Sequence, residues 1–413
     1  MQVLLLSQWF DPEPAFKGLV FAKSLRNRGN DVEVLTGFPN YPGGNVYPGY
    51  HIRILRREVI DGIVVNRVPL YPSHNSRGFL RILNYLSFCV SAMILGPLAV
   101  KKPDVIYVYN LPTVALVALA LRGIYRAKVV LDVQDLWPES VAGSNMMPSR
   151  GALKVLGLAT NRIYRSVDRL TVLSAGFKSE LMRRGIPEQK IEVIYNWSME
   201  DEPHSETSES VKEVVEAFRG TFNIVFAGTM GKMQGLDSVI EAAALLEAKQ
   251  RNISFWFIGG GIAVDDLKRL AQTRQLSNVQ FHPRMTSGEI KAVLARADVL
   301  LVHLRKDPLF TITIPSKIQA YMRAGRPILA AVEGDAARLV ELSGAGISCE
   351  PGNPKRISEA VLNLSRMDKA VLSQMGRKGR EYYEKNLSLS VGTSKFIAQF
   401  EGVMRPGEYQ KTV

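Results

Sequence analysis

The sequence predicts an α/β protein built as two doubly wound parallel sheets, and three observations carry that expectation. Short, wholly apolar runs such as Val3 to Leu6 and Val129 to Leu131 alternate with helical stretches and glycine-bearing loops, the pattern of buried parallel strands joined by crossover helices. The alternation stops in a polar segment at 200–210 and restarts at Phe222. At 413 residues the chain also exceeds the size at which one hydrophobic core stops growing.

Composition narrows the class of partner. With 46% apolar and 22% charged residues the chain is globular, not disordered. Cys89 and Cys349 lie far apart, specify no disulfide framework and fit a reducing compartment. A net charge of +13 points to anionic partners and leaves nucleic acid, anionic lipid and phosphorylated substrates open.

In the first half, residues 1–7 read as a strand, not as a signal peptide. A loop with two prolines follows, then Gly18 at the entry to a helix that ends by Gly29, and a second strand at Asp31 to Thr36. Gly18 lets a ligand approach the backbone closely, although no dinucleotide GxGxxG run is present. Residues 38–50, rich in Gly, Pro and Tyr, form a loop that suits either a substrate, with Tyr41 as a contact, or plain surface. The stretch from Phe79 to Val100 is the most apolar of the chain. Gly96-Pro97 is expected to break it, leaving too little hydrocarbon to span a bilayer. With Arg77, Arg81, Lys101 and Lys102 beside it, it reads as a helix on an anionic membrane or as a buried domain helix. After the strand ending at Asp132 comes Val133-Gln-Asp-Leu-Trp-Pro-Glu-Ser140, where Asp135 and Glu139 offer hydroxyl acceptors and Trp137 an apolar face.

In the second half, the loop Gly228-Thr-Met-Gly-Lys-Met-Gln-Gly235 follows a strand and precedes a helix, with Lys232 as a point charge. It lacks the GKS or GKT ending of a P-loop. The later stretch Ile314-Pro-Ser-Lys-Ile reads as a helix start with Ser316 as N-cap. Lys317 then sits in the first turn, unfavourable with the helix dipole unless an anion lies nearby. Two lysine-bearing loops leaving one sheet edge point to a phosphate site. The five histidines are dispersed and neither HExxH nor CxxC occurs, so no metal site is expected.

These segments resemble the retaining glycosyltransferases of family four, which have the GT-B fold. The resemblance spans nearly the whole chain and rests on the Gly18 loop, Val172-Leu-Ser-Ala-Gly176, Ile191-Glu-Val-Ile-Tyr-Asn-Trp197, the loop 226–236, Ala297-Asp-Val-Leu-Leu301, and Pro315-Ser-Lys317 with Ala324-Gly-Arg-Pro-Ile-Leu329. It implies two Rossmann-like domains facing across a cleft. The expected boundaries are an acceptor domain at 1–199, a linker at 200–212, a nucleotide-sugar domain at 213–387, and a final helix at 388–413 returning to the first domain. Several family positions differ here. The usual arginine and lysine of the glycine loop fall on Thr229 and Gln234, the paired glutamates on Thr311 and Gln319, and the usual histidine on Gln134 beside Asp135. Lys232 and Lys317 restore a cation in each loop.

Gly-Lys-Met-Gln-Gly, Pro-Ser-Lys and Asp-Leu-Trp-Pro-Glu are similar to a branch acting on fucose-type and N-acetylfucosamine-type sugars in O-antigen, capsule and colanic acid synthesis. The implied reaction moves N-acetyl-L-fucosamine from a UDP-sugar to a polyprenyl-diphosphate-linked saccharide, on the cytoplasmic face of a bacterial plasma membrane. Lys232, Lys317 and Asp135 are the expected catalytic residues. Gly18, Gly228, Thr229, Gln234, Gly235, Arg284, Ser316 and Gln319 would bind the donor; Trp137, Glu139 and Tyr41 would bind the acceptor. No cofactor, metal or nucleic acid is implied. A GDP-fucose-type transferase, a UDP-sugar 2-epimerase and a non-catalytic nucleotide-sugar-binding subunit on a membrane are the competing readings.

Overall fold

Val3 to Leu6 is buried along its whole length, as a strand covered by helices on both faces must be. The computed structural model describes residues 1–73, 78–143, 149–199, 208–248 and 252–405. The chain divides into one unit of Met1–Tyr195 with the chain from Gly392 onward, and a second unit of Asn196–Val391. Of the segment expected as a linker, residues 200–207 lie outside the described residues, and Ser208 already caps a helix by accepting the Val211 N–H.

The first unit contains β1 (Gln2–Leu6), α1 (Leu19–Arg26), β2 (Asp31–Gly37), β3 (Arg56–Ile60), β4 (Ile63–Val68) and α2 (Gly78–Ala99). It continues with β5 (Val105–Tyr109), α3 (Pro112–Tyr125), β6 (Lys128–Val133), α4 (Glu139–Gly143), α5 (Arg150–Ser166), β7 (Arg169–Val172), α6 (Ala175–Arg183) and β8 (Ile191–Val193). The sheet runs β3-β4-β2-β1-β5-β6-β7-β8. It is parallel apart from the β3–β4 edge pair. Strand order reverses between β1 and β5, where Leu6 pairs with both Leu35 and Val108. Open sheets of this kind bind ligands in the crevice beyond such a switch point.

The expected break in the apolar segment does not occur. α2 runs through Gly96 and Pro97 to Ala99, and the Tyr125 hydroxyl donates to the carbonyls of Pro97 and Val100 at its end. By length and composition the helix could cross a bilayer. In the structure it packs on β2, β4 and α3 as an element of the domain.

The second unit contains α7 (Glu209–Ala217), β9 (Phe222–Thr229), α8 (Asp237–Glu247), β10 (Ile253–Gly260), α9 (Val264–Thr273), β11 (Val279–His282) and α10 (Ser287–Leu294). Then come β12 (Val299–His303), α11 (Pro308–Thr311), α12 (Ser316–Ala324), β13 (Ile328–Ala331), α13 (Asp335–Leu342), β14 (Gly346–Cys349), α14 (Pro354–Ser365) and α15 (Lys369–Asn386). The wholly parallel sheet runs β11-β10-β9-β12-β13-β14, with its switch point between β9 and β12. Its core joins Ile224 and Phe226 of β9 to Phe255 and Phe257 of β10 and to the inner faces of α8 and α14.

The last helix, α16 (Leu389–Met404), belongs from Gly392 onward to the first unit. Phe396 is fully buried and meets Phe21 and Tyr107 edge-on, at 5.2 and 5.3 Å between centroids. The Thr393 and Ser24 hydroxyls share a buried hydrogen bond of 2.9 Å.

Candidate functional site

Polar and aromatic residues gather beyond the strand ends of each sheet. In the second unit a cavity of about 340 Å³ opens beyond the ends of β9 and β10, with Gly228, Thr229, Gly259, Arg284, Ser316 and Lys317 among its lining residues. Gly228 and Gly259 pair across the two strands, at φ of 127° and 143°. Those angles suit only glycine. A Cβ on Gly228 would lie 2.9 Å from the Lys317 side chain, so the missing side chain is what admits the lysine.

Lys317 has no ion pair among the described residues, and its Nζ stands 4.7 Å from the centre of the Phe226 ring. Burial pushes its pKa down to about 8. The helix behind it begins one residue earlier than expected for a Ser316 cap: Pro315 occupies the N-cap position and no side chain caps the turn. Ser316 is therefore the first helical residue. An uncapped helix start and an uncompensated lysine in its first turn favour an anion together. The Ala227 N–H donates to the Tyr321 hydroxyl at 2.9 Å, fixing α12 against the end of β9.

The other expected donor residues divide. Thr229 and Arg284 line the cavity and are exposed. Lys232, Gln234 and Gly235 lie on the neighbouring 3₁₀ turn, and Lys232 is exposed outside the lining. Gln234 closes that turn by accepting the Gly231 N–H. Its carbonyl accepts from His303 Nδ1 at 2.5 Å, while His303 Nε2 accepts the Gly352 N–H at 3.1 Å. Burial lowers the His303 pKa, so a neutral ring ties β12 to the glycine loop. Gln319 is buried, and its amide donates to the Pro315 and Ser316 carbonyls of its own helix start. That side chain steadies the turn and lines no part of the cavity.

Gly18 belongs to the first unit and serves a different purpose from the one expected. The Asp11 carboxylate occupies the space a side chain there would need and accepts the Leu19 N–H at 2.6 Å. The start of α1 thus carries an internal anion in place of a ligand. Below it, Asp132 is fully buried and accepts from Lys17 (2.5 Å), Tyr107 (2.8 Å), Gln134 (2.9 Å) and Thr171 (2.8 Å). Burial lowers the Lys17 pKa and Asp132 opposes that shift. Gln134 is engaged with Asp132.

Around the switch point of the first sheet stand Trp9, Tyr41, Tyr85, Tyr109 and Asp135. Trp9 lies 5.0 Å from Tyr41 and 6.1 Å, edge-on, from Tyr85. Asp135 reaches solvent at the rim, but the protein packed around its carboxyl raises its pKa, against an Asn110 hydrogen bond that lowers it. Glu13 was not singled out from the sequence. It accepts N–H groups from Phe10 (3.2 Å), Asn40 (2.7 Å) and Tyr41 (2.8 Å), holding the loop after β1 against the loop after β2. Burial outweighs those bonds and lifts its pKa to about 7. Trp137 and Glu139 depart from expectation. Trp137 is only 9% exposed, which leaves no open face for a sugar. Its carbonyl and the Glu139 carboxylate both bind Arg184, at 2.7 and 2.8 Å, and close the loop into α4.

Among the described residues no group of three or more His, Cys, Asp or Glu side chains could hold a metal ion. Two doubly wound domains in one chain, one with an anion-favouring cavity at its switch point, form the GT-B architecture. Residues 19–197 match a family described as glycosyl transferase 4-like domain and residues 208–382 match the glycosyl transferases group 1, and the chain is a GT-B glycosyltransferase. A probable glycosyltransferase of Pseudomonas aeruginosa, WbjE, is 27% identical over 78% of this chain and 80% of its own length. A putative colanic acid biosynthesis glycosyl transferase of Escherichia coli K12, WcaI, is 26% identical over 92% of this chain and 93% of its own. Among solved structures, Anabaena HepE in complex with UDP and glucose has a TM-score of 0.65 at 17% identity, covering 97% of this chain and 99% of that one. A Burkholderia xenovorans trehalose-phosphate synthase (UDP-forming) with glucose-6-phosphate has 0.70 at 15% identity, covering 97% and 100%.

Proposed function

We propose that the protein transfers a sugar of the N-acetyl-L-fucosamine type from UDP to a saccharide carried on polyprenyl diphosphate, with retention of configuration, in O-antigen synthesis at the inner face of the bacterial plasma membrane. The observation that carries the donor half is Lys317, a partly buried cation without an ion pair among the described residues, beside an uncapped helix start. UDP as the donor nucleotide is supported by HepE, whose fold this chain shares. In the reaction the acceptor hydroxyl bonds to the anomeric carbon on the face that the nucleoside diphosphate leaves, and its proton passes to the departing diphosphate. Lys317 and the N–H groups at the start of α12 stabilise the charge that develops there. Lys232 adds a second charge from the glycine loop, and Thr229, Gly228 and Arg284 shape the donor cavity. Gly235, Gln234 and Gln319 hold the two loops in place. Asp135 orients the acceptor hydroxyl, and Tyr41 offers its ring to the sugar.

The acceptor half is supported by α2. Phe79, Leu83, Leu86, Val90, Ile94 and Leu98 are exposed at spacings of three and four, one stripe along the helix. Lys101 and Lys102 follow, exposed, at its end. An apolar stripe with basic flanks suits reversible attachment to an anionic bilayer. Of the other two basic residues expected there, Arg77 lies outside the described residues and Arg81 is partly buried, off the apolar stripe.

A GDP-fucose-type transfer into exopolysaccharide is the second reading, favoured by the likeness to WcaI over most of the chain. Incubating the protein with radiolabelled UDP- and GDP-sugars and lipid-diphosphate acceptors separates the readings. Label in the lipid fraction from the UDP-sugar is expected. Label from GDP-fucose alone would favour the second reading, interconversion of free nucleotide-sugar would mean an epimerase, and binding without either would mean a non-catalytic subunit.

A further inference from the structure

α2 has two functional sides. Its outer stripe is apolar, whereas Arg81 and Tyr85, one turn apart, lie on the side that includes the buried Phe88, Cys89 and Ala92. The Arg81 Nε is buried without a hydrogen-bond partner among the described residues, and no ion pair of Arg81 occurs among them. Its charge is felt at the Tyr85 hydroxyl, where it opposes the rise that burial causes. Tyr85 in turn packs edge-on against Trp9, which lies tilted against Tyr41. In the same loop cluster the Gln8 side chain, 1% exposed, donates to Asn84 of α2 but leaves its Oε1 without a partner among the described residues. A buried N–H left without an acceptor is costly, and an anionic oxygen supplies the acceptor that Nε lacks.

We propose that Arg81 binds the anionic group of the acceptor, a diphosphate oxygen of the lipid carrier, at the mouth of an aromatic saccharide recess lined by Trp9 and Tyr41, with Tyr85 buried behind them. The inference rests on the acceptor reading given above. Phe79 and Leu83 flank Arg81 on the exposed side of the helix, so the joint between lipid tail and saccharide lies where the two faces of α2 meet. The half-buried rings of Trp9 and Tyr41 accept the apolar faces of the sugar.

The test uses the full chain with Arg81→Gln and Arg81→Lys, each checked for wild-type circular dichroism. Against the diphosphate-linked acceptor, R81Q should raise KM by about ten-fold or more with kcat nearly unchanged, and R81K should fall between. Against the same saccharide on a neutral alkyl group KM should stay at the wild-type value. An equal rise for both acceptors would mean that Arg81 only shapes the recess, and would overturn the proposal. A rise that follows a carboxylate on the saccharide, whatever the aglycone, would overturn the diphosphate assignment. Equilibrium binding of a short isoprenyl diphosphate, measured without donor, should weaken by a similar factor in R81Q. If the wild type glycosylates no lipid acceptor but this binding still depends on Arg81, the proposed reaction fails and the site stands. If binding is the same in both proteins, the site fails.

Discussion

Lys317 keeps a positive charge in surroundings that oppose it. Its folded pKa, about 8, lies below the ordinary lysine value, so in neutral solution the folded state carries a destabilising charge, and that burden is relieved as pH rises through 8. Lys317→Met should therefore raise the melting temperature of the ligand-free protein at pH 7 by a few degrees, roughly 1 kcal/mol or more. The same change should cut transfer at least ten-fold, about 1.4 kcal/mol of transition-state stabilisation. A diphosphate would restore the protonated form, so donor binding should weaken above pH 8 and take up a proton near that pH. Calorimetry in two buffers of different ionisation heat reads this directly; an affinity flat from pH 7 to well above 8 would remove Lys317 from the donor site. This lysine could be found in the sequence because proline, serine and lysine at a helix start are a local signal. Glu13, and the inward placement of Arg81, could not be found in that way. Their roles depend on backbone groups and rings brought together from β1, β2 and α2.

Among the elements, α2 has the most to answer for. Replacing Val90 and Ile94, 56% and 65% exposed, with glutamine removes apolar carbon that packs against little in the fold, so stability should change by no more than about 0.5 kcal/mol. Each buried CH2 contributes roughly 0.8 kcal/mol to membrane binding. Partition onto vesicles containing anionic lipid should accordingly drop by about ten-fold or more, and Lys101→Gln with Lys102→Gln should reduce the salt sensitivity of what remains. Sedimentation with vesicles checks both, and wild-type partition of the Val90/Ile94 variant would refute lipid contact by this face. The helix itself was legible from its apolar run, but its end was not. The helix continues past Pro97 to Ala99, and the Tyr125 hydroxyl takes up the Pro97 and Val100 carbonyls at that end, a partner that local sequence does not reveal. β3 was missed for another reason. Its residues Arg56 to Ile60 alternate between exposed and partly buried on an antiparallel edge, so it lacks the continuous apolar run that marked the central strands.

For the molecule as a whole, the proposed reaction takes the donor site's positive charge from Lys317 and Lys232, not from a metal ion. Transfer should therefore persist after exhaustive chelation, with less than about a two-fold change on adding magnesium or manganese. Activity lost to chelator and restored only by divalent metal would contradict this. The doubly wound order of both sheets could be read from strand–helix alternation, whereas the membership of α16 in the first unit follows from packing that periodicity cannot show. That membership has a consequence for how the protein is made. A ribosome delivers a chain from its N-terminus, and domains ordinarily fold as they emerge. Here the rings of Phe396 and Phe400, both fully buried, reach Phe21 and Tyr107 only after the whole second unit has been synthesised. The first domain to leave the ribosome is the last to be completed, and until then it exposes an aromatic surface that a chaperone, or a neighbouring nascent chain, is free to occupy.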